Sequence, residues 1–333
     1  MRIADELNQA LHDLLADDER MYLLGEDIVD PYGGAFKITK GLSTRFPDRV
    51  LSTPISEAGV VGMAGGLALL DNTVLVEIMF ADFLGLAFDQ LVNFASKSVT
   101  MYGVRRPMRV VVRCATGGGR GYGATHSQSP QKHFFGVPNL TVHELSPVHP
   151  HIETLSRAIN TGAPALLVED KTLYSTVAVT EREYASFAKR FLDPGRNLGW
   201  LYIEGAGDPD IVIISPGGMV DRCLAAAHRV FAAEELVCAV LVPAQLYPLR
   251  LDEALPQLAA AKRLCVVEES TAGGTWGAEV ATLLYDRLWG HLTEPVRLVH
   301  SADSVIPAAA HLEQEVLVQE HDIVQALKGD IRA

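Results

Sequence analysis

Basic residues are scarce: 28 lysines and arginines stand against 41 acids, a net charge of -13, and they are scattered along the chain. A nucleic-acid phosphate track needs a surplus of Lys and Arg on one face, so this balance argues against that partner. Cysteine is also sparse. Cys114, Cys223, Cys238 and Cys265 lie far apart, with no C-x-x-C pair and no histidine ladder nearby, so they read as core thiols rather than a disulfide framework or a zinc site. No apolar run reaches the roughly 20 residues needed to cross a bilayer, and residues 1–20 contain no signal-type stretch. A soluble, cytoplasmic chain without membrane contact is the expectation. The Gly117–Gly123 loop lacks the lysine of a phosphate-binding P-loop and the spacing of a dinucleotide-binding turn.

What is present points to a large α/β protein. At 333 residues, 48% of them hydrophobic, the chain exceeds the usual single-core limit of roughly 250 to 300, so two domains are expected. Short apolar strands alternate with helical patterns. Met21–Leu24 ends at Gly25-Glu26-Asp27; Val50-Leu51 precedes a glycine-rich helix; Thr73–Phe80 is apolar except for Glu77. Leu84, Phe88, Leu91 and Ala95 then recur at helical spacing. Strands follow at 108–113, 140–145 and 165–168, with a helix near 151–161. This predicts a doubly wound, mainly parallel sheet over residues 1–175, with ligands at the carboxyl ends of its strands.

Charges, Pro194-Gly195 and Gly205–Pro209 break the pattern, so residues 176–209 read as a linker. A second α/β unit is expected over 210–333, with strands at 210–215, 236–242, 263–268 and 296–299 and helices near 218–233, 252–261, 277–290 and 313–328.

The central stretch is Thr53–Ala68. Pro54 and Ser56 mark a helix start, which puts Glu57 in the first turn. Gly59, Gly62, Gly65 and Gly66 make a poor isolated helix, so close packing against another backbone explains them, and the helix should be central and buried. The helix dipole and capping are one reason for an acid there. The other is chemistry, since an acid buried without a cation has a proton to trade. His126 follows the glycine loop, flanked by Thr125, Ser127 and Gln128, and is either structural or presented for catalysis. Met79, Phe80 and Phe83 are core residues by default, with room to stack on a flat ring. Gly273-Gly274 reads as a tightly packed turn.

Taken together, Leu24–Asp27, Tyr32-Gly33-Gly34, Thr53–Glu57, Phe80–Phe83, Phe88-Asp89-Gln90, His126–Ser129 and Gly273-Gly274 with Gly277–Glu279 resemble the beta subunit of the E1 component of thiamine-diphosphate-dependent 2-oxo acid dehydrogenases. The resemblance runs nearly end to end. It implies a transketolase-like pyrimidine-binding domain followed by a transketolase-C-like assembly domain. It also implies that Glu57 hydrogen-bonds N1′ of the aminopyrimidine, that Phe83 stacks on that ring, and that Ile55 and Met79 line its pocket. His126 would help pass the acyl unit to a lipoyl transacylase after decarboxylation of a small 2-oxo acid. A backbone-carbonyl potassium site of some members matches Val110, Ala158, Ile159, Thr161 and Ala163.

The G-D-G motif with its distant asparagine pair, which holds magnesium and diphosphate in this superfamily, does not occur here; Asp208 lacks that context. The resemblance therefore implies a separate alpha subunit in a two-alpha, two-beta assembly, with Mg2+ held mainly by that partner. Histidines at His133 and from His143 through His151 depart from the family pattern and leave the substrate open. A split transketolase-like or specialised carboligase subunit, or a non-catalytic scaffold, are the other readings.

Overall fold

Runs of β-branched and aliphatic residues too apolar to face water on either side form the central strands of both sheets. The computed structural model describes residues 1–329 and divides into two compact units. Met1–Gly117, His133–Leu145 and Pro150–Glu181 form the first; Gly118–Lys132, Ser146–His149 and the chain from Arg182 form the second.

The first unit contributes β1 (Met21–Gly25), β2 (Val50–Ser52), β3 (Thr73–Ile78), β4 (Val110–Thr116), β5 (Thr141–Glu144) and β6 (Ala165–Asp170), in the order β5-β6-β4-β3-β1-β2. Every pairing among them is parallel. One layer, with helices Ile3–Asp17 and His151–Asn160, encloses a core of Leu7, Leu11, Leu23, Leu75, Val111, Leu155 and Leu167. The helix Glu57–Ala68 packs against β3 and the turn Ala81–Ala87.

In the second unit the strand order is β13-β12-β9-β10-β8-β7, from β7 (Ala188–Phe191), β8 (Leu198–Tyr202), β9 (Ile211–Ile214), β10 (Cys238–Pro243), β12 (Arg263–Thr271) and β13 (Arg297–Ser301); the short β11 (Gln245–Tyr247) follows β10. Helices Val220–Glu234, Leu255–Ala260, Trp276–Leu288, Ala310–Val316 and Glu320–Lys328 accompany it.

Several expectations are corrected. The stretch 176–209 holds two antiparallel strands, β7 and β8, that extend the second sheet. The helix expected at 313–328 is two helices, because Leu317 turns to extended backbone (ψ 148°). The helix expected after β3 is present but mixed in pitch, 3-10 over Ala81–Ala87, π over Gln90–Ala95 and α over Ser96–Ser98. Gly273 and Gly274 have φ of 84° and 58° with open space around them, so backbone conformation rather than tight packing demands glycine there. All four cysteines are buried, and burial pushes the Cys223 and Cys238 thiols up to about 12.

Candidate functional site

The carboxyl ends of β1, β2 and β3 share one edge of the first sheet, because the three strands are parallel and adjacent. Each delivers a candidate residue there. β1 runs into Glu26, β2 into Ile55 and Glu57, and β3 into Met79, Phe80 and Phe83. Ile55, Glu57, Met79 and Phe83 are thus brought to one edge, the place where such sheets hold ligands.

Glu57 opens its helix as expected, and it is buried (8% exposed). Ser56 sits at the N-cap position without a side-chain cap bond, so its oxygen does not fill the role its position suggested. Among the described residues Glu57 has no ion pair. Its charged neighbour is Glu26, whose carboxyl is raised by burial and then by the charges of Glu57 and Asp27. Two acids therefore share an electrostatic environment at the sheet edge.

The helix is buried on one side only. Val60, Val61, Ala64, Gly65 and Ala68 face the core, and a side chain at Gly65 would collide with Phe94. Gly59, Met63 and Gly66 are exposed, and nothing lies within 4 Å of where a Gly66 side chain would project. Ile55 is 82% exposed. The expectation of a buried helix holds for one face only: the other face carries Gly59, Gly66 and the single large side chain of Met63, and nothing among the described residues covers Gly66.

Beneath this edge lies a group of charges. Arg113 on β4 pairs Glu77 through Nη1; its Nε and Nη2 donate to Glu169 on β6 at 2.9 and 2.6 Å. Tyr174 donates its hydroxyl to Glu169 at 2.7 Å. Arg113 and Glu77 are register partners on adjacent strands. Burial alone would lower Arg113, and the charges of Glu169 and Glu77 outweigh it, so the guanidinium stays charged. Burial pushes the Glu77 carboxyl up, against the pull of Arg113. Glu77 also accepts from the Ala35 N–H at 2.9 Å, and a side chain at Gly34 would strike its carboxylate. The Tyr32-Gly33-Gly34 loop is thus fixed to β3, the strand that leads into Met79. Phe80 stands beside Phe36 (6.5 Å, edge-on), with the buried Lys171 ammonium 5.4 Å from its ring. Sequence reasoning missed this group, although charges within three otherwise apolar strands were its signal.

His126 lies in the second unit, within Gly118–Lys132, so it does not belong to the compact unit that carries Glu57. Its Nδ1 is 3.0 Å from the Thr125 hydroxyl. Ala158, Ile159, Thr161 and Ala163 surround the turn after helix His151–Asn160, which meets the start of β4 through Met108 N–H donating to Gly162 O at 2.9 Å. The Thr161 hydroxyl reaches the carbonyls of Ala158 and Ala163 at 2.9 and 3.2 Å. The departing histidines His143, His149 and His151 are core residues, each no more than 1% exposed, which removes them as substrate contacts. Among the described residues no cluster of His, Cys, Asp and Glu could hold a metal, and no helix is long and apolar enough to cross a membrane.

Comparison with known proteins agrees with this architecture. Residues 1–176 match the family described as transketolase, pyrimidine binding domain, and 203–323 match transketolase, C-terminal domain. The chain is 30% identical to the mitochondrial pyruvate dehydrogenase E1 component subunit beta of Dictyostelium discoideum, covering 98% of this chain and 90% of that one. It is 33% identical to the mitochondrial subunit beta-1 of Arabidopsis thaliana (98% and 88%). To the acetoin:2,6-dichlorophenolindophenol oxidoreductase subunit beta of Bacillus subtilis it is 29% identical (97% and 94%). A solved split-gene transketolase, described as an inactive beta4 tetramer, shares the fold with a TM-score of 0.73 at 20% identity over 98% of both chains.

Proposed function

The chain belongs to the family of pyruvate dehydrogenase E1 component beta subunits, and from that premise we propose that it supplies the aminopyrimidine half of a thiamine-diphosphate site in a 2-oxo acid dehydrogenase. The observation that carries the reading is Glu57: a buried carboxylate with no cationic partner among the described residues, at the head of a glycine-rich helix and at the carboxyl edge of a parallel sheet.

When bound, the cofactor supplies a carbon acid and an electron sink for decarboxylation. This chain's part is to hold and aim it. Glu57 would hydrogen-bond N1′ and hold a proton there. Phe83 would stack on the aminopyrimidine ring, and Ile55 and Met79 would line its pocket. His126 serves a later step, transfer of the acyl unit to a lipoyl group or other acceptor. Magnesium and the diphosphate fall to an alpha partner. The bare face of helix Glu57–Ala68, with Gly59, Met63 and Gly66, supports a second chain packing closely there.

The test is Glu57→Gln, assembled with the alpha partner. The amide keeps the shape but cannot hold a transferable proton, so assembly should survive while deuterium exchange at the cofactor's C2 slows by about a hundredfold or more. Exchange at the wild-type rate would reduce Glu57 to a helix-terminus acid.

A further inference from the structure

The glycine loop leading to His126 is built like an anion cradle, and its anion is part of the protein. Gly117, Gly119, Gly121 and Gly123 all have positive φ, between 67° and 83°. The alternation turns successive backbone N–H groups toward one side, the arrangement of an anion-binding nest. Glu313 fills it. Gly119 N–H donates to its Oε1 at 3.0 Å and Gly121 N–H to its Oε2 at 3.1 Å. Gly118 N–H donates to Glu269 Oε1 at 2.7 Å, and the other oxygen of Glu269 accepts from Arg222 at 2.9 Å. Glu313 comes from helix Ala310–Val316 and is 4% exposed; Glu269 comes from β12. At the far end of the segment, the Lys132 ammonium donates to the carbonyls of Thr271 and Gly273 at 2.8 and 2.7 Å.

His126 therefore sits on a strap tied at both ends to the second unit. Glycine is required because a side chain at position 118 would collide with Leu317, and one at 121 would meet Ala308 O at 3.1 Å. Hydrogen bonds to an ionised acceptor are roughly twice as strong as neutral ones, so the two carboxylates are the strong ties at the glycine end.

We infer that Glu313 and Glu269 are positioning residues for His126, holding the loop so that the imidazole is presented for acyl transfer. The inference rests on the role proposed above for His126. It requires that loosening the strap slow acyl transfer while leaving decarboxylation, served by Glu57, nearly untouched.

The experiment uses the enzyme assembled with its alpha partner and the variants Glu313→Gln, Glu269→Gln, Glu313→Asp and His126→Gln. Hydrogen–deuterium exchange of the peptide spanning 117–131 and tryptic cleavage after Arg120 read the strap directly. Turnover with an artificial electron acceptor and acyl transfer to a lipoylated domain read the two chemical steps. Glu313→Gln should raise exchange and cleavage about tenfold, the effect of exchanging a charged acceptor for a neutral one. Acyl transfer should fall by a similar factor while artificial-acceptor turnover stays within about twofold, and Glu313→Asp should recover part of the loss. Unchanged exchange and cleavage in both glutamine variants would overturn the inference, as would a loosened strap with both activities falling equally. A His126→Gln enzyme with the wild-type ratio of activities would refute the role of His126 itself; loop exchange in the Glu313 and Glu269 variants then decides the tie alone.

Discussion

Replacing Glu77 with glutamine should destabilise the first unit far more than one lost surface pair would. Arg113 is buried between Glu77 and Glu169, and the amide retains an acceptor for the Ala35 N–H, so the change isolates the loss of one anion. Removing one partner of a buried pair costs about 3–5 kcal/mol, against about 0–1 for an exposed pair. Arg113 keeps its two bonds to Glu169, so Glu77→Gln belongs near the lower figure. Glu169→Gln, which also disturbs the bond from Tyr174, belongs near the upper. At about 2–4 °C per kcal/mol, Glu77→Gln should lower the calorimetric Tm by about 6–12 °C. The sign with pH separates mechanisms. Arg113→Met leaves two buried carboxylates without the guanidinium they share, so burial raises their folded-state pKa values above the unfolded value of about 4.3. The penalty is then full at neutral pH and fades as pH falls through the raised values, so Arg113→Met should approach wild-type stability on acidification. A Glu77→Gln protein melting within about 1 °C of wild type, or an Arg113→Met deficit that does not shrink toward about pH 5, would refute a charged buried network.

Calorimetry on the chain without its partner should find weak thiamine-diphosphate binding that magnesium does not tighten; tight, magnesium-dependent binding would remove the need for an alpha subunit. His143 is lowered to about 3 by burial and then by Arg157, so it folds neutral. Its contribution is intact above the unfolded value of about 6.5 and is lost as pH falls below it, at up to about 1.4 kcal/mol per pH unit. His143→Gln should flatten the Tm-against-pH curve between about pH 6.5 and 4, and an unchanged slope would contradict the burial of a neutral imidazole.

Strand alternation and the place of Glu57 were legible because buried parallel strands and helix starts leave local marks. β7 was not: Lys189 and Arg190 on an antiparallel edge strand break the apolar pattern that identifies the central strands. The break at Leu317 carries no proline or glycine, so the apolar spacing runs straight across it. The Arg113 group left its signal as charges in apolar strands, yet pairing them needed strand order. The tie from Glu313 to Gly119 joins positions 194 residues apart, and no local pattern encodes it. Ser56 shows the opposite case, a residue type suited to capping whose oxygen is not used for it.

The two units do not correspond to two halves of the gene. Family boundaries divide the chain once, between 176 and 203, whereas the compact units are built from three segments each. Residues 118–132, encoded within the first half, depend for their shape on acids encoded in the second. A chimera joining the amino-terminal half of this chain to the carboxy-terminal half of another would separate the glycine strap from Glu269 and Glu313. The strap is therefore a joint product of both halves, and a cut that falls cleanly between the two families of residues still severs its ties.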